Sequence, residues 1–182
     1  MTVLALLFSA LLPTAPSAGG AQSISVRPGE AVTLEFRDQK AVVVERKAAP
    51  PISDYERKVA ADLEAREMSA GPGVQPAVPY SRNDLKAAPP VPVPDRVLLT
   101  FRVVAGARAG SRPFSLLVVL NGYRQAFRYR VLMHRKGSVS PTDVCEVPPN
   151  IPMSEHWPYA IDRIDLIGEW LEPSVAGQVR CE

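Results

Sequence analysis

The sequence predicts a mainly β protein, an antiparallel two-sheet sandwich, and three observations carry that expectation. Apolar and polar residues alternate in short runs, as where Val32, Leu34 and Phe36 oppose Thr33 and Glu35. Turn-forming pairs such as Pro28-Gly29 and Asn121-Gly122 punctuate the runs. One segment, 53–70, reads as a helix, and the remaining pattern reads as strands in two packed layers. A partly closed barrel satisfies the same pattern.

Residues 1–21 carry no charged side chain, and Val3 to Leu12 is an apolar run followed by Pro13, Pro16 and small residues. This is the order of a cleavable signal peptide. Ala21 and Gly19 occupy the small-x-small positions, which places the cut before Gln22. The run is about half of the roughly 20 residues needed to span a bilayer, which argues against a retained anchor. The first cysteine is Cys145, too late for a lipoprotein. Residues 22–182 are then one exported domain, periplasmic or secreted, large enough for its own core. In an oxidising compartment Cys145 and Cys181 read as one disulfide tying the C-terminus to the body. A net charge of +2 is too mild for a nucleic-acid partner, which requires a dense basic patch.

Ser23 to Val26 and Ala31 to Phe36 read as strands across the Pro28-Gly29 turn. The stretch from Pro28 to Phe36 resembles the opening of many immunoglobulin-like sandwiches but is common to unrelated families; the strand pattern as a whole leads to an immunoglobulin-like or jelly-roll-like sandwich. Arg37 to Lys40 is a second turn into the β-branched run Ala41 to Glu45. Ser53 and Glu56 form a capping box. Behind it, Asp54, Lys58, Asp62 and Arg66 alternate in sign at spacing four, and Tyr55, Val59 and Leu63 make a narrow apolar stripe. That polarity predicts a peripheral helix, free to stand off the core. Residues 71–94 contain seven prolines and two glycines, a surface crossover inserted between strands.

The second half carries the stronger strand signal. Val97, Leu99, Phe101 and Val103 share one face, and Phe114 to Leu120 is apolar on both, as in a central strand. Asn121-Gly122 predicts a type I′ hairpin returning through Phe127, Tyr129, Val131 and Met133. Lys136-Gly137-Ser138 turns the chain into a further run, with Thr142 to Val147 read as a strand carrying Cys145. His156-Trp157-Pro158-Tyr159 reads as a loop. Ile161 to Leu171 fits strand or helix, and Gly168 inside it favours strand.

No reactive cluster stands out. His134 and His156 are the only histidines and lie in no metal-binding spacing, so no metal or cofactor is expected. No nucleophile elbow or phosphate loop is present, and the carboxylate pairs Asp162/Asp165 and Glu169/Glu172 read as solvating an exposed strand edge. Two surfaces are candidates for binding. Arg102, Arg128 and Arg130, with Tyr123 at the rim, would form a cationic ledge if their strands are neighbours; otherwise they are an ordinary solvated face. Trp157 and Tyr159 would form a rigid aromatic contact, or else plug the end of the sandwich. The expected function is a non-enzymatic binding or accessory module of the cell envelope, with an envelope protein or acidic polymer as partner. The rivals are an envelope hydrolase built from scattered Asp, Glu and His, and a purely structural protein.

Overall fold

The computed structural model describes residues 23–70, 88–106, 111–173 and 179–181. The expected leader, its cleavage point and most of the proline-rich stretch lie outside the described residues. The chain forms β1 (Ile24–Val26), β2 (Glu30–Arg37), β3 (Lys40–Ala48), α1 (Asp54–Ala70), β4 (Val97–Val104), β5 (Phe114–Asn121), β6 (Ala126–Arg135), β7 (Ser138–Thr142), β8 (Met153–Trp157) and β9 (Arg163–Glu172). They make two antiparallel sheets, one of four strands in the order β1-β9-β6-β7 and one of five in the order β3-β2-β4-β5-β8. The two pack face to face as a β-sandwich. β1 pairs with β9 rather than β2, so the strand order is not that of the immunoglobulin fold.

Alternation explains the core. Val32, Leu34, Val97, Leu99, Phe101, Leu117 and Val119 of one sheet meet Phe127, Val131, Ile164 and Leu166 of the other, all nearly inaccessible to solvent. Pro28-Gly29 crosses between the sheets in a type II turn: Gly29 has φ +83° and Glu30 N–H returns to the Arg27 carbonyl at 3.1 Å. The tight hairpins are elsewhere. Asp38-Gln39 joins β2 to β3 and Lys136-Gly137 joins β6 to β7, each pair with two positive φ values, as a type I′ turn demands.

Several expectations fail for identifiable reasons. Asn121-Gly122 makes no hairpin, because β5 and β6 belong to different sheets. Instead the fully buried Asn121 amide donates to the carbonyls of Gln125 and Val147, while its oxygen accepts from Tyr123 N–H. Gly122 is needed there for clearance, since a Cβ would stand 1.8 Å from the Val93 carbonyl oxygen. Of the loop expected at 156–159, His156 and Trp157 belong instead to β8, an edge strand beside β5 that ends before Pro158. The strand expected at 142–147 ends at Thr142, and Cys145 and Val147 make only isolated bridges beyond it.

The helix is not detached. Tyr55, Val59, Ala60 and Leu63 pack on Phe114, Leu116, Val118 and Leu120, forming a second apolar cluster on the outer face of the five-stranded sheet. This is why β5 is apolar on both sides. The capping box forms as expected, with Glu56 accepting from Ser53 N–H at 2.7 Å and Ser53 Oγ receiving Glu56 N–H at 3.2 Å. Of the charge ladder, Lys58 pairs with Asp62; the Arg66 side chain lies outside those described.

Candidate binding face

With α1 covering one outer face, the outer face of the four-stranded sheet is the other broad surface, and among the described residues no helix lies on it. Strand alternation turns Phe127, Tyr129 and Val131 inward, so Arg128, Arg130, Leu132 and His134 point outward. A bulge at Arg130/Val131, opposite Ile167-Gly168, resets β9 and brings Trp170 into register with Arg128 on the same face. Both guanidiniums approach the Trp170 ring, Arg128 at 5.2 Å and Arg130 at 5.8 Å from its centroid. Arg130 is exposed and Trp170 half-buried. The Trp170 indole N–H donates to Glu172 at 3.2 Å, and Arg128 pairs with the same carboxylate at 3.2 Å. Those donors hold the Glu172 carboxyl below its usual range, the Trp170 hydrogen bond most strongly.

The C-terminal segment joins this array. The sulfurs of Cys145 and Cys181 are 2.01 Å apart, a disulfide distance. Beside them Glu146 N–H donates to the Arg180 carbonyl at 2.8 Å. The Arg180 side chain then reaches Glu146 at 3.1 Å and also pairs with Glu172. The Glu146 side chain is fully enclosed.

Farther along the same face, Asp165 accepts Ser25 Oγ–H and meets His134 Nε2, each at 2.6 Å, with Arg163 Nε at 3.0 Å. Serine and histidine bind opposite oxygens of one carboxylate, so the serine is not bonded to its base as a hydrolytic nucleophile must be. The expected exposed edge is absent here, because β9 runs between β1 and β6. Asp165 is accordingly buried, and Asp162 accepts Lys136 N–H.

Two glutamates face the interior. Glu155 accepts Cys145 N–H at 2.7 Å and stands 3.5 Å from the Tyr129 hydroxyl, and burial pushes its carboxyl up to about 7. Glu169, opposite Tyr129 in the ladder, is raised to about 7 by the same cause. His156, on the far face of β8 and 4.9 Å from the Phe114 ring, is lowered by burial to about 4. Ser154 and His156 therefore point away from Glu155 between them and form no triad with it. Among the described residues no three His, Cys, Asp or Glu side chains converge to hold a metal.

The predicted ledge is only partly assembled. Arg128 and Arg130 share a face, but Arg102 lies on β4 in the other sheet, beneath the start of α1. It donates to Glu56 at 2.7 Å and to the Pro50 carbonyl at 2.6 Å, pinning the helix to the sheet. Tyr123 is no rim residue: its hydroxyl accepts Phe36 N–H at 2.9 Å and its ring packs edge-on against Phe36. Trp157 is a core plug, packed edge-on against Phe101, its indole N–H reaching Thr142 at 2.8 Å and so stitching the two sheets together. Tyr159 lies under the Arg135 guanidinium at 4.1 Å. Sequence reasoning missed Trp170, Arg180 and Glu146. Trp170 was hidden by the helix-or-strand ambiguity of its segment, although the alternation of Trp170 and Glu172 against Glu169 and Leu171 was present.

Compared with protein-family models, with curated proteins and with solved structures, the chain matches none. Among the described residues no helix is long and apolar enough to cross a membrane.

Proposed function

We propose that this chain is an exported, non-enzymatic binding or accessory module of the cell envelope, presenting the outer face of its four-stranded sheet to an acidic protein partner. The observation that carries the reading is Trp170 flanked by Arg128 and Arg130 on the sheet face opposite the helix-covered one. Tryptophan and arginine are the residue types that most often dominate protein interfaces. Arg128 is buried and turns its fork to Glu172, which leaves Arg130 as the exposed arginine beside the ring. Exposed Ile167 and Val139 lie on the same sheet, and apolar contact of that kind suits a folded partner. Glu172 and Asp165 interleave with the arginines, which makes the face a poor match for a uniform polyanion.

Export is supported by the uncharged apolar leader and by a closed cysteine pair, which persists in oxidising compartments. A mature mass beginning at Gln22 tests it; a mass beginning at Met1 contradicts it. For the binding reading, a tagged protein is cross-linked in living cells and isolated from the envelope fraction for mass spectrometry. The expected result is a reproducible protein partner lost in the Arg130→Glu/Trp170→Ala variant. Recovery of the protein alone, or of acidic glycan in place of protein, overturns the reading.

A further inference from the structure

We propose that residues 88–94 are a second docking surface, a polyproline II segment held ready on the body for a partner protein with an aromatic-lined groove. The inference goes beyond the binding reading above and uses none of the residues of the four-stranded face.

The conformation follows from the sequence. Every residue of Ala88-Pro89-Pro90-Val91-Pro92-Val93-Pro94 is a proline or precedes one. Proline fixes its own φ at about −65°, and the residue before it is pushed out of the helical region into extended backbone. The regular form of such a run is polyproline II, with about three residues per turn. Burial keeps that period: Pro89 and Pro92 are half-buried, while Val91 and Pro94 are exposed. The ridge between them runs from half-buried Pro90 to exposed Val93. The segment lies in no helix or strand, and its far end is fixed. Asp95 N–H donates to the Gly122 carbonyl at 3.2 Å, Gly122 N–H donates to the Arg96 carbonyl at 2.8 Å, and the Val93 carbonyl lies against Gly122 itself. Gly122 follows the buried Asn121, so the segment starts from a rigid seat.

The chemistry of the segment selects the partner. Val91 at 85% and Val93 at 56% are the most exposed large hydrophobic side chains among the described residues. No charged side chain lies between Ala88 and Pro94, and the prolines have no N–H, so the segment offers apolar ridges and backbone carbonyls. Aromatic rings match both needs: their faces pack between the ridges, and indole N–H or tyrosine O–H groups donate to the carbonyls. A charged surface finds no counter-charge within the segment. Prolines and a fixed end leave the chain little freedom to lose on docking, which favours a short contact of this kind.

The test places a photo-reactive phenylalanine analogue at position 91 of the tagged protein, purified from its own cells and irradiated in a whole-cell extract of them. Irradiation is done alone, with excess decaproline peptide, and with a glycine–serine peptide of the same length. The expected result is an adduct with one protein, joined at a tryptophan or tyrosine, whose yield falls about tenfold with decaproline and holds with the glycine–serine peptide. A Pro92→Gly/Pro94→Gly form, which frees the backbone, should lose about tenfold as well. The decaproline arm needs no substitution, so it reads the contact even where the glycine form unfolds. The Arg130→Glu/Trp170→Ala form should label as the wild type does. Labelling that decaproline or the folded glycine form leaves unchanged, an adduct of this chain with itself, or no adduct overturns the inference. Labelling abolished in Arg130→Glu/Trp170→Ala also overturns it and assigns the adduct to the four-stranded face, so the two readings fail separately.

Discussion

Replacing Glu155 by Gln is expected to flatten the stability of this protein against pH between about 5 and 8. Glu155 sits between the sheets, and its carboxyl is raised from 4.5 to about 7, burial outweighing the hydrogen bond from Cys145 N–H. A carboxyl with a raised folded pKa contributes fully below the unfolded value of 4.5, and that contribution is lost as pH rises through about 7. The displacement corresponds to about 3 kcal/mol at pH 8, by the usual conversion. Glu169 acts in the same direction over the same window. His156 opposes them: its folded value is lowered from 6.5 to about 4, so its contribution is present above 6.5 and lost as pH falls through about 4. Asp165, Glu45 and Glu172 are lowered carboxyls, whose effects fall at pH values below their ordinary range. Two groups thus outweigh one, and the wild type should gain about 3 kcal/mol on acidification from pH 8 to 5. In Glu155→Gln one group opposes one, and the change should shrink to under about 1 kcal/mol. The glutamine oxygen can still accept Cys145 N–H, so the variant should be the more stable protein at pH 8. Urea unfolding at the two pH values, with the disulfide intact, measures both. A variant that keeps the wild-type slope, or is less stable at pH 8, refutes the assignment of a neutral buried Glu155.

Further substitutions probe the fold and separate structural from surface arginines. Arg102→Gln should lower stability by about 3 kcal/mol because it leaves Glu56 enclosed without its cation, whereas Arg130→Ala should change unfolding by less than about 0.5 kcal/mol. Gly122→Ala should cost about 3 kcal/mol from collision with the Val93 carbonyl. Gly137→Ala, with open space around its Cβ and only a φ of +80° to accommodate, should cost about 1–2 kcal/mol; thermal melts rank the pair. Cys145→Ser/Cys181→Ser removes a bond across 36 residues and should cost about 4 kcal/mol in denaturant unfolding.

The two-layer class was legible because period-two alternation is a local property. Val32, Leu34 and Phe36, or Phe127, Tyr129 and Val131, declare their face without reference to any partner strand. The capping box of Ser53 and Glu56 was legible for the same reason. Sheet membership was not: Asn121-Gly122 carries a strong hairpin signal, yet the Asn121 amide is satisfied by Val147, distant in sequence, and the chain crosses between sheets. The charges of the helix suit its outer position, while its docking follows from the bare outer side of Phe114, Leu116, Val118 and Leu120, which Tyr55, Val59 and Leu63 cover. The arginine ledge was half legible. Arg128 and Arg130 lie two apart on one strand, but the role of Arg102 depends on which sheet holds β4. Trp170 reaches this face through a bulge that resets the alternation of β9, and Arg180 through a disulfide that leaves no periodic trace.

The claim that the four-stranded sheet is the contact face is tested most directly by a photo-reactive phenylalanine analogue at a single position in the living cell. Ile167 marks the bulge beside Arg130 on that sheet, and Val43 marks the edge strand β3 of the other; both are comparably exposed. An adduct with one acidic protein from position 167 and none from position 43 is the predicted result. Equal labelling from both positions, or labelling from 43 alone, contradicts it.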